Sequence, residues 1–245
     1  LDIAESSLEH DINEWDDYAI EEAVQIQEAR EDEAVEVVTV TIGPERAEET
    51  VRMALAKGAD LAIRAWDDAL ADATHLDLSA KADIIAAIAE EEEPDLILSG
   101  VQAADDANGA TGVAVAKRIG FEWAAVVNDL DLDTEAGIAA VHRELEGGIE
   151  ELTDVDIPAV LTIQTGINEP RYASLRGIRQ AQRKPIDARS LDDIGLDAGV
   201  LESSLERASM REPETESDAV VWEGSAEETA GELAAFLEES GVIEG

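Results

Sequence analysis

A chain of 245 residues suits one large domain or one domain with additions, and a 45% hydrophobic share is enough to build a core. No apolar run approaches the ~20 residues that span a bilayer, and the absence of cysteine excludes disulfides, thiol catalysis and Cys-ligated iron–sulfur clusters in this chain. Asp and Glu total 59 against 17 Lys and Arg, a net charge of −42 that repels nucleic acid and anionic membrane surfaces.

The acids are spread along the whole chain rather than gathered in one tract. At ~1 M salt the Debye length falls to about 3 Å, so most of their mutual repulsion is screened there. The composition therefore reads as a surface adapted to a molar-salt cytoplasm, with an acidic face for a basic partner as the rival. Leu1-Asp2-Ile3-Ala4-Glu5 carries neither a basic head nor an apolar run, so no secretory signal is expected and the expected location is cytoplasmic.

In chain order, Val35 to Ile42 is rich in β-branched residues and stops at Gly43-Pro44, which predicts a strand and a turn. Glu45 to Lys57 has helical spacing at Ala47, Val51, Ala54 and Leu55, with Gly58 as a C-terminal cap. Leu61 to Trp66 is the next strand, Ile84, Ile85, Ile88 and Ala89 mark a helix, and Asp95 to Gly100 is a strand again. Val113 to Ile119 follows as a helix. Strands and helices alternating at this spacing predict βαβ units and a mostly parallel sheet covered on both faces. After Gly120 the pattern changes to short strands, Trp123 to Val127, Ile138 to Leu145 and Gly148 to Leu152, divided by Asp133–Gly137 and Glu146–Gly148, which predicts an antiparallel meander. Pro158 to Ile163 is another buried strand. Ser190 to Ser204 is looser, and a final helix starts at Ser225, where Ser225 and Glu228 have capping-box spacing.

The loop from Gly100 to Gly112 leaves a strand and opens a helix, the position where open α/β sheets bind ligands. Helix N-termini there present unpaired N–H groups to phosphate, small residues allow close approach, and Thr111 adds a hydroxyl. The loop is neither GxGxxG nor a Walker loop, so ATP hydrolysis has no support; the plain alternative is an ordinary βα turn. Asp105-Asp106 suits a metal or a ribose, though adjacent acids carry little weight in this composition. His10, His75 and His142 are scattered and give no zinc or triad spacing, and no nucleophile elbow is present. Trp15, Trp66, Trp123 and Trp222 read as core anchors. Arg171, Arg176, Arg179, Arg183, Lys184 and Arg189 concentrate positive charge in one stretch, read either as internal ion pairing or as a subunit or anion contact.

Pro158 to Leu175, with Asn168-Glu169-Pro170-Arg171-Tyr172 at its centre and Arg183-Lys184-Pro185-Ile186 after it, resembles the signature of the electron transfer flavoprotein β subunit. Ile12 to Ala23, Gly43 to Asp60 and Gln102 to Gly112 are similar to further segments of that family, in the same order. The resemblance implies a doubly wound, Rossmann-like, adenine nucleotide-binding domain over 1–189 and a recognition loop and partner-binding arm over 190–245. It implies a carrier subunit with no catalytic residue and no metal of its own. Such a subunit binds AMP structurally, supports an FAD held mainly by an α subunit, and passes electrons from acyl-CoA or other flavin dehydrogenases toward a respiratory chain. By position, Asn13, Glu14, Trp15, Asp16, Ile42 and the loop Asp105, Asp106, Ala107, Asn108, Gly109, Ala110, Thr111, Gly112 and Val113 surround AMP. Glu169 and Arg171 lie at the subunit contact, and Ile194, flanked by Gly195 and Leu196, is an exposed apolar anchor for a partner's pocket. The same resemblance sets the first strand of the sheet ahead of Leu1. Two alternatives remain: an electron-bifurcating relative with a second FAD in place of AMP, disfavoured because the string Asp-Gly-Asp-Thr-Ala-Gln is absent, and a non-redox nucleotide-binding regulatory module.

Overall fold

The computed structural model describes residues 8–30, 33–73, 75–203, 205, 208–211 and 219–243. Its elements are α1 (Glu14–Ala29), β1 (Val38–Ile42), α2 (Glu48–Lys57), β2 (Leu61–Ala65), α3 (Asp68–Asp72), α4 (Leu78–Glu92), β3 (Leu96–Gly100), α5 (Thr111–Ile119), β4 (Glu122–Asp133), β5 (Ile138–Leu145), β6 (Ile149–Asp156), β7 (Ala159–Ile163), α6 (Leu175–Ala181), β8 (Asp187–Arg189) and α7 (Ala226–Glu239). Residues 4–207 and 208–245 form separate compact units.

The α/β class holds, and among the described residues the strands pair as two sheets. β1, β2 and β8 make a parallel three-stranded sheet in the order β1-β2-β8, and the other five strands follow the order β3-β7-β4-β5-β6. In the larger sheet β3, β7 and β4 are parallel, while β4, β5 and β6 are the antiparallel meander. β1 and β3 each keep one edge without a strand partner among the described residues. Helix pairs join the two sheets: α1 packs on α2, and α4 packs on α5.

β4 is much longer than the expected Trp123–Val127 because it serves two neighbours in turn. Its first residues pair with β7 and the rest with β5, and the register shifts around Val126 at the changeover. Val126 has φ +64°, costly for a β-branched residue. Its amide is held by the Thr162 hydroxyl at 3.0 Å, so the bulge re-aims the strand without orphaning a buried donor. β7 is buried along its whole length, as its apolar run predicts for a central parallel strand.

Three clusters form the core. Ala19 of α1 packs with Val127, Val141, Leu161 and Ile163 on one face of the larger sheet. Ile84 and Ile88 of α4 pack with Ile63, Leu70, Leu191 and Ile194. Val51 and Leu55 of α2 pack with Val37, Ala62 and Ala181. Gly58 ends α2 at φ +141°, where a side chain would meet Val24 Cγ1 at 2.8 Å. Trp66 joins the second cluster at its margin, whereas Trp123, expected in the core, is exposed because it faces away from its buried neighbour Ala124.

The 208–245 unit carries α7, capped by the reciprocal Ser225–Glu228 box that its sequence predicts. Trp222 packs edge-on against Phe236 with ring centroids 5.6 Å apart.

Candidate functional site

Two loops leave the carboxyl ends of the neighbouring strands β3 and β7, and both lean on α1. The first runs from Val101 to Ala110. The N-terminus of α1 crosses directly over the end of β3: a side chain on Gly100 would meet Trp15 Cβ at 2.5 Å. The Gly100 amide donates to Asp16 Oδ1 at 2.7 Å. Asn13 Nδ2 donates to the Gln102 carbonyl and to Asp16 Oδ2, both at 2.8 Å, and Asn13 Oδ1 accepts from the Ala104 amide at 3.1 Å. Trp15 Nε1 donates to Gln164 Oε1 at 3.0 Å, so it ties the two loops together.

Asn13, Trp15 and Asp16 therefore lie at this loop, and their polar atoms brace it rather than stand free. Glu14 is exposed beside them. Ile42 ends β1 in the other sheet and packs with the second core cluster.

Asp105 is exposed, whereas Asp106 pairs with Lys81 Nζ and accepts from the Asn108 amide at 3.0 Å. Partial burial works against the Asp106 charge, but the Lys81 and Asn108 hydrogen bonds outweigh it and hold the carboxyl below the usual range. Ala107 at φ +49° and Gly109 at φ +59° turn the chain back toward α5. The helix begins at Thr111 with no side-chain cap from Ala110, so the amides of its first turn, including Gly112 and Val113, are free of side-chain competition. Gly112 fits where nothing larger does: a Cβ would meet Ser99 Oγ at 2.5 Å and Thr162 Cγ2 at 2.7 Å. Behind it Ser99 Oγ is buried without a hydrogen-bond partner. An uncapped helix N-terminus on a close-packed glycine turn fits a phosphate group. Among the described residues no group of three or more His, Asp or Glu is placed to hold a metal ion.

The second loop runs from Gln164 to Ser174 and is fastened to α1 by charge. Arg171 Nε and its backbone amide donate to Glu21 Oε2 at 2.7 and 3.1 Å, and its two terminal nitrogens reach Glu28 at 2.7 and 2.9 Å. Asn168 Nδ2 donates to Glu22 Oε2 and to the Tyr18 carbonyl. Glu21 is only 5% exposed. Its burial opposes ionisation, yet the hydrogen bonds from Arg171 and Gln25 prevail and bring its pKa down to about 2. For Glu22 burial prevails, helped by the Asp129 and Glu21 charges, and its carboxyl is pushed up.

Arg171, expected at a subunit contact, thus turns its guanidinium inward, while Glu169 stays exposed. The basic stretch divides in two. Arg171, Lys184 and Arg189 are engaged within the chain; Arg176, Arg179 and Arg183 are exposed and make no ion pair with a described residue. Beside them Tyr172 is 98% exposed and Leu175 is 77% exposed.

Ile194 is the clear correction. Expected as an exposed anchor, it is 4% exposed and packs on Ile84 and Ile88. Asp193 folds the turn back by accepting from Ser190, Asp67 accepts the Leu191 amide, and the single turn Asp192–Ile194 then points Ile194 into the core. Gly195 caps that turn at φ +73°, and Leu196 packs at the margin of the same cluster. The sequence did carry a signal for Leu175: an apolar residue directly after the cap Ser174, on the helix face shared with Arg179 one turn on.

Fold and loops define a doubly wound α/β protein whose two loops at the carboxyl ends of β3 and β7 meet on α1. The family description "Electron transfer flavoprotein domain" matches residues 1–194. The chain is 44% identical over 242 residues to the electron transfer flavoprotein subunit beta of Methylophilus methylotrophus, covering 98% of this chain and 90% of that protein. It is 36% identical to the subunit beta of Bos taurus, covering 98% and 89% of the two chains, and 37% identical to the mitochondrial subunit beta of Arabidopsis thaliana, covering 86% and 79%. This chain belongs to the electron transfer flavoprotein family, on the side of its β subunits.

Proposed function

We propose that this chain is the β subunit of a heterodimeric electron transfer flavoprotein of a salt-rich cytoplasm, binding AMP in a structural role and docking flavin dehydrogenases of the acyl-CoA class. The amides of Thr111 and Gly112, with the Thr111 hydroxyl, would hold the AMP phosphate at the positive end of the α5 dipole. Pairing of Asp106 with Lys81 supports this reading, since it removes one negative charge from beside that phosphate. The flavin, held mainly by the α subunit, supplies the redox chemistry. This chain binds and orients; the 190–245 arm adds contact with the α subunit.

Docking moves from Ile194 to the ridge of Tyr172, Leu175, Arg176 and Arg179. The observation that carries it is the exposure of two large side chains, Tyr172 at 98% and Leu175 at 77%, beside cations that pair with no described residue, in a chain of net charge −42. An apolar anchor within a charged rim is the usual form of an interface hot spot, and its charge suits an acidic partner face.

The test is to co-purify the chain with its α partner in molar salt and count the bound nucleotides. One FAD and one AMP per heterodimer is the expected result. Two FAD would replace this reading by the electron-bifurcating one, and failure to form a heterodimer would overturn it.

A further inference from the structure

Tyr172 of the docking ridge sits on backbone with no regular structure, and Leu175, Arg176 and Arg179 lie on α6, which starts directly after that backbone. Between β7 and α6 the chain runs from Gln164 to Ser174 as turns and extended residues. A loop of that kind keeps one shape only if side chains fasten it, and the fastening here is concentrated. Arg171 adjoins Tyr172 and, with its amide and guanidinium, reaches two glutamates two helical turns apart on α1. Asn168 reaches a third, Glu22.

Resting on the docking reading above, we propose that Arg171, seconded by Asn168, is a positioning residue for electron delivery: its clamp on Glu21 and Glu28 holds Tyr172 and Leu175 in the shape a dehydrogenase recognises. Preformed loops bind more tightly because less ordering remains to be done on contact. An ammonium cannot reproduce the clamp, since bridging two carboxylates while donating from Nε needs the planar guanidinium fork. The inner half of the clamp is buried, so it persists at salt concentrations that screen exposed pairs. The exposed Arg176 and Arg179 act differently: they attract the partner during encounter, and salt weakens them.

The experiment uses the purified holo-heterodimer with an acyl-CoA dehydrogenase and its acyl-CoA substrate, following flavin reduction at several dehydrogenase concentrations, with rates normalised to bound FAD. Arg171→Gln is expected to raise the KM for the dehydrogenase about tenfold, a loss that appears in KM rather than kcat and stays when salt is raised. Arg171→Lys should recover only part of it. Combined with Leu175→Ala, Arg171→Gln should add little, because a misplaced anchor and a missing anchor are the same defect. Should Arg171→Gln prevent assembly, Glu28→Gln removes the outer, exposed half of the clamp and is expected to give a smaller rise in the same KM. A Leu175→Ala effect without an Arg171→Gln or Glu28→Gln effect would overturn the proposal and leave the docking reading intact. Equal losses from Arg171→Gln with and without Leu175 would also overturn it. No effect of Leu175→Ala would remove the docking reading itself, and the proposal with it.

Discussion

The two loops that meet at α1 come from adjacent parallel strands and share a supporting helix, yet they are built in opposite ways. Loop 101–110 is held by Asn13 and Asp16 acting on backbone groups, and what it offers outward is backbone: the uncapped first turn of α5. Loop 164–174 is held by Arg171 and Asn168 acting on glutamates, and what it offers outward is side chain: Tyr172 and Leu175. A loop that binds through its own amides needs small residues and must be braced from its neighbours. A loop that binds through side chains can carry its own brace, and a buried ion pair serves because its geometry is fixed.

The strongest way to break this contrast is Arg171→Met, which leaves Glu21 buried and without its cation. A loss of about 2–4 kcal/mol is expected in denaturant unfolding at neutral pH, and a variant as stable as the parent would dismiss the clamp. The same pair sets an acid limb. The Glu21 carboxyl lies at about 2 instead of 4.5, so its contribution is complete above the ordinary value and fades as pH falls from there toward 2. Arg171→Met should flatten that part of the stability profile.

Gly112→Ala tests the backbone loop. A methyl group forced against Ser99 and Thr162 is expected to lower stability by about 1–3 kcal/mol and to reduce the AMP recovered per heterodimer; full AMP recovery would show that α5 does not carry the phosphate. Smaller again is Glu22→Gln. Burial raises the Glu22 pKa, so the ionised form works against folding as pH rises through the folded value. The amide keeps an acceptor for Asn168, and the variant should be slightly more stable at pH 7 with no gain in acid, read from thermal midpoints across pH. Least of all, Leu175→Ala should leave stability within about 0.5 kcal/mol, because its side chain lies in water.

Much of the fold was legible where apolar periodicity governs: β1 to β3, the meander and β7 all follow from it. Helix α1 was not, because its packed face carries Glu21 and Glu22 beside Ala19 and Val24. In a chain with 59 acids, two buried glutamates look like solvent face, and only a partner such as Arg171 distinguishes them. The three residues of β8 carry too short a pattern to read. The loop after β3 was recognisable by its small residues, but not the bracing role of Asn13 and Asp16, which depends on residues some 90 positions away. The burial of Ile194 is not legible because flanking aspartates suggest a water-facing turn, whereas Asp193 accepts the Ser190 amide and the sequence-distant Asp67 accepts the Leu191 amide, turning the chain inward.

The exposed apolar ridge of Tyr172 and Leu175 has a consequence for handling the protein. Large apolar side chains left in water are sites of adhesion between molecules, and Tyr172 and Leu175 are both strongly exposed. With a charge of −42, copies repel one another at low ionic strength. As salt shrinks the Debye length from about 10 Å at 0.1 M to about 3 Å at 1 M, that repulsion disappears. The conditions that relieve crowding of charge within one molecule are then those under which separate molecules adhere, and sedimentation velocity across that salt range should find the isolated chain associating as salt rises.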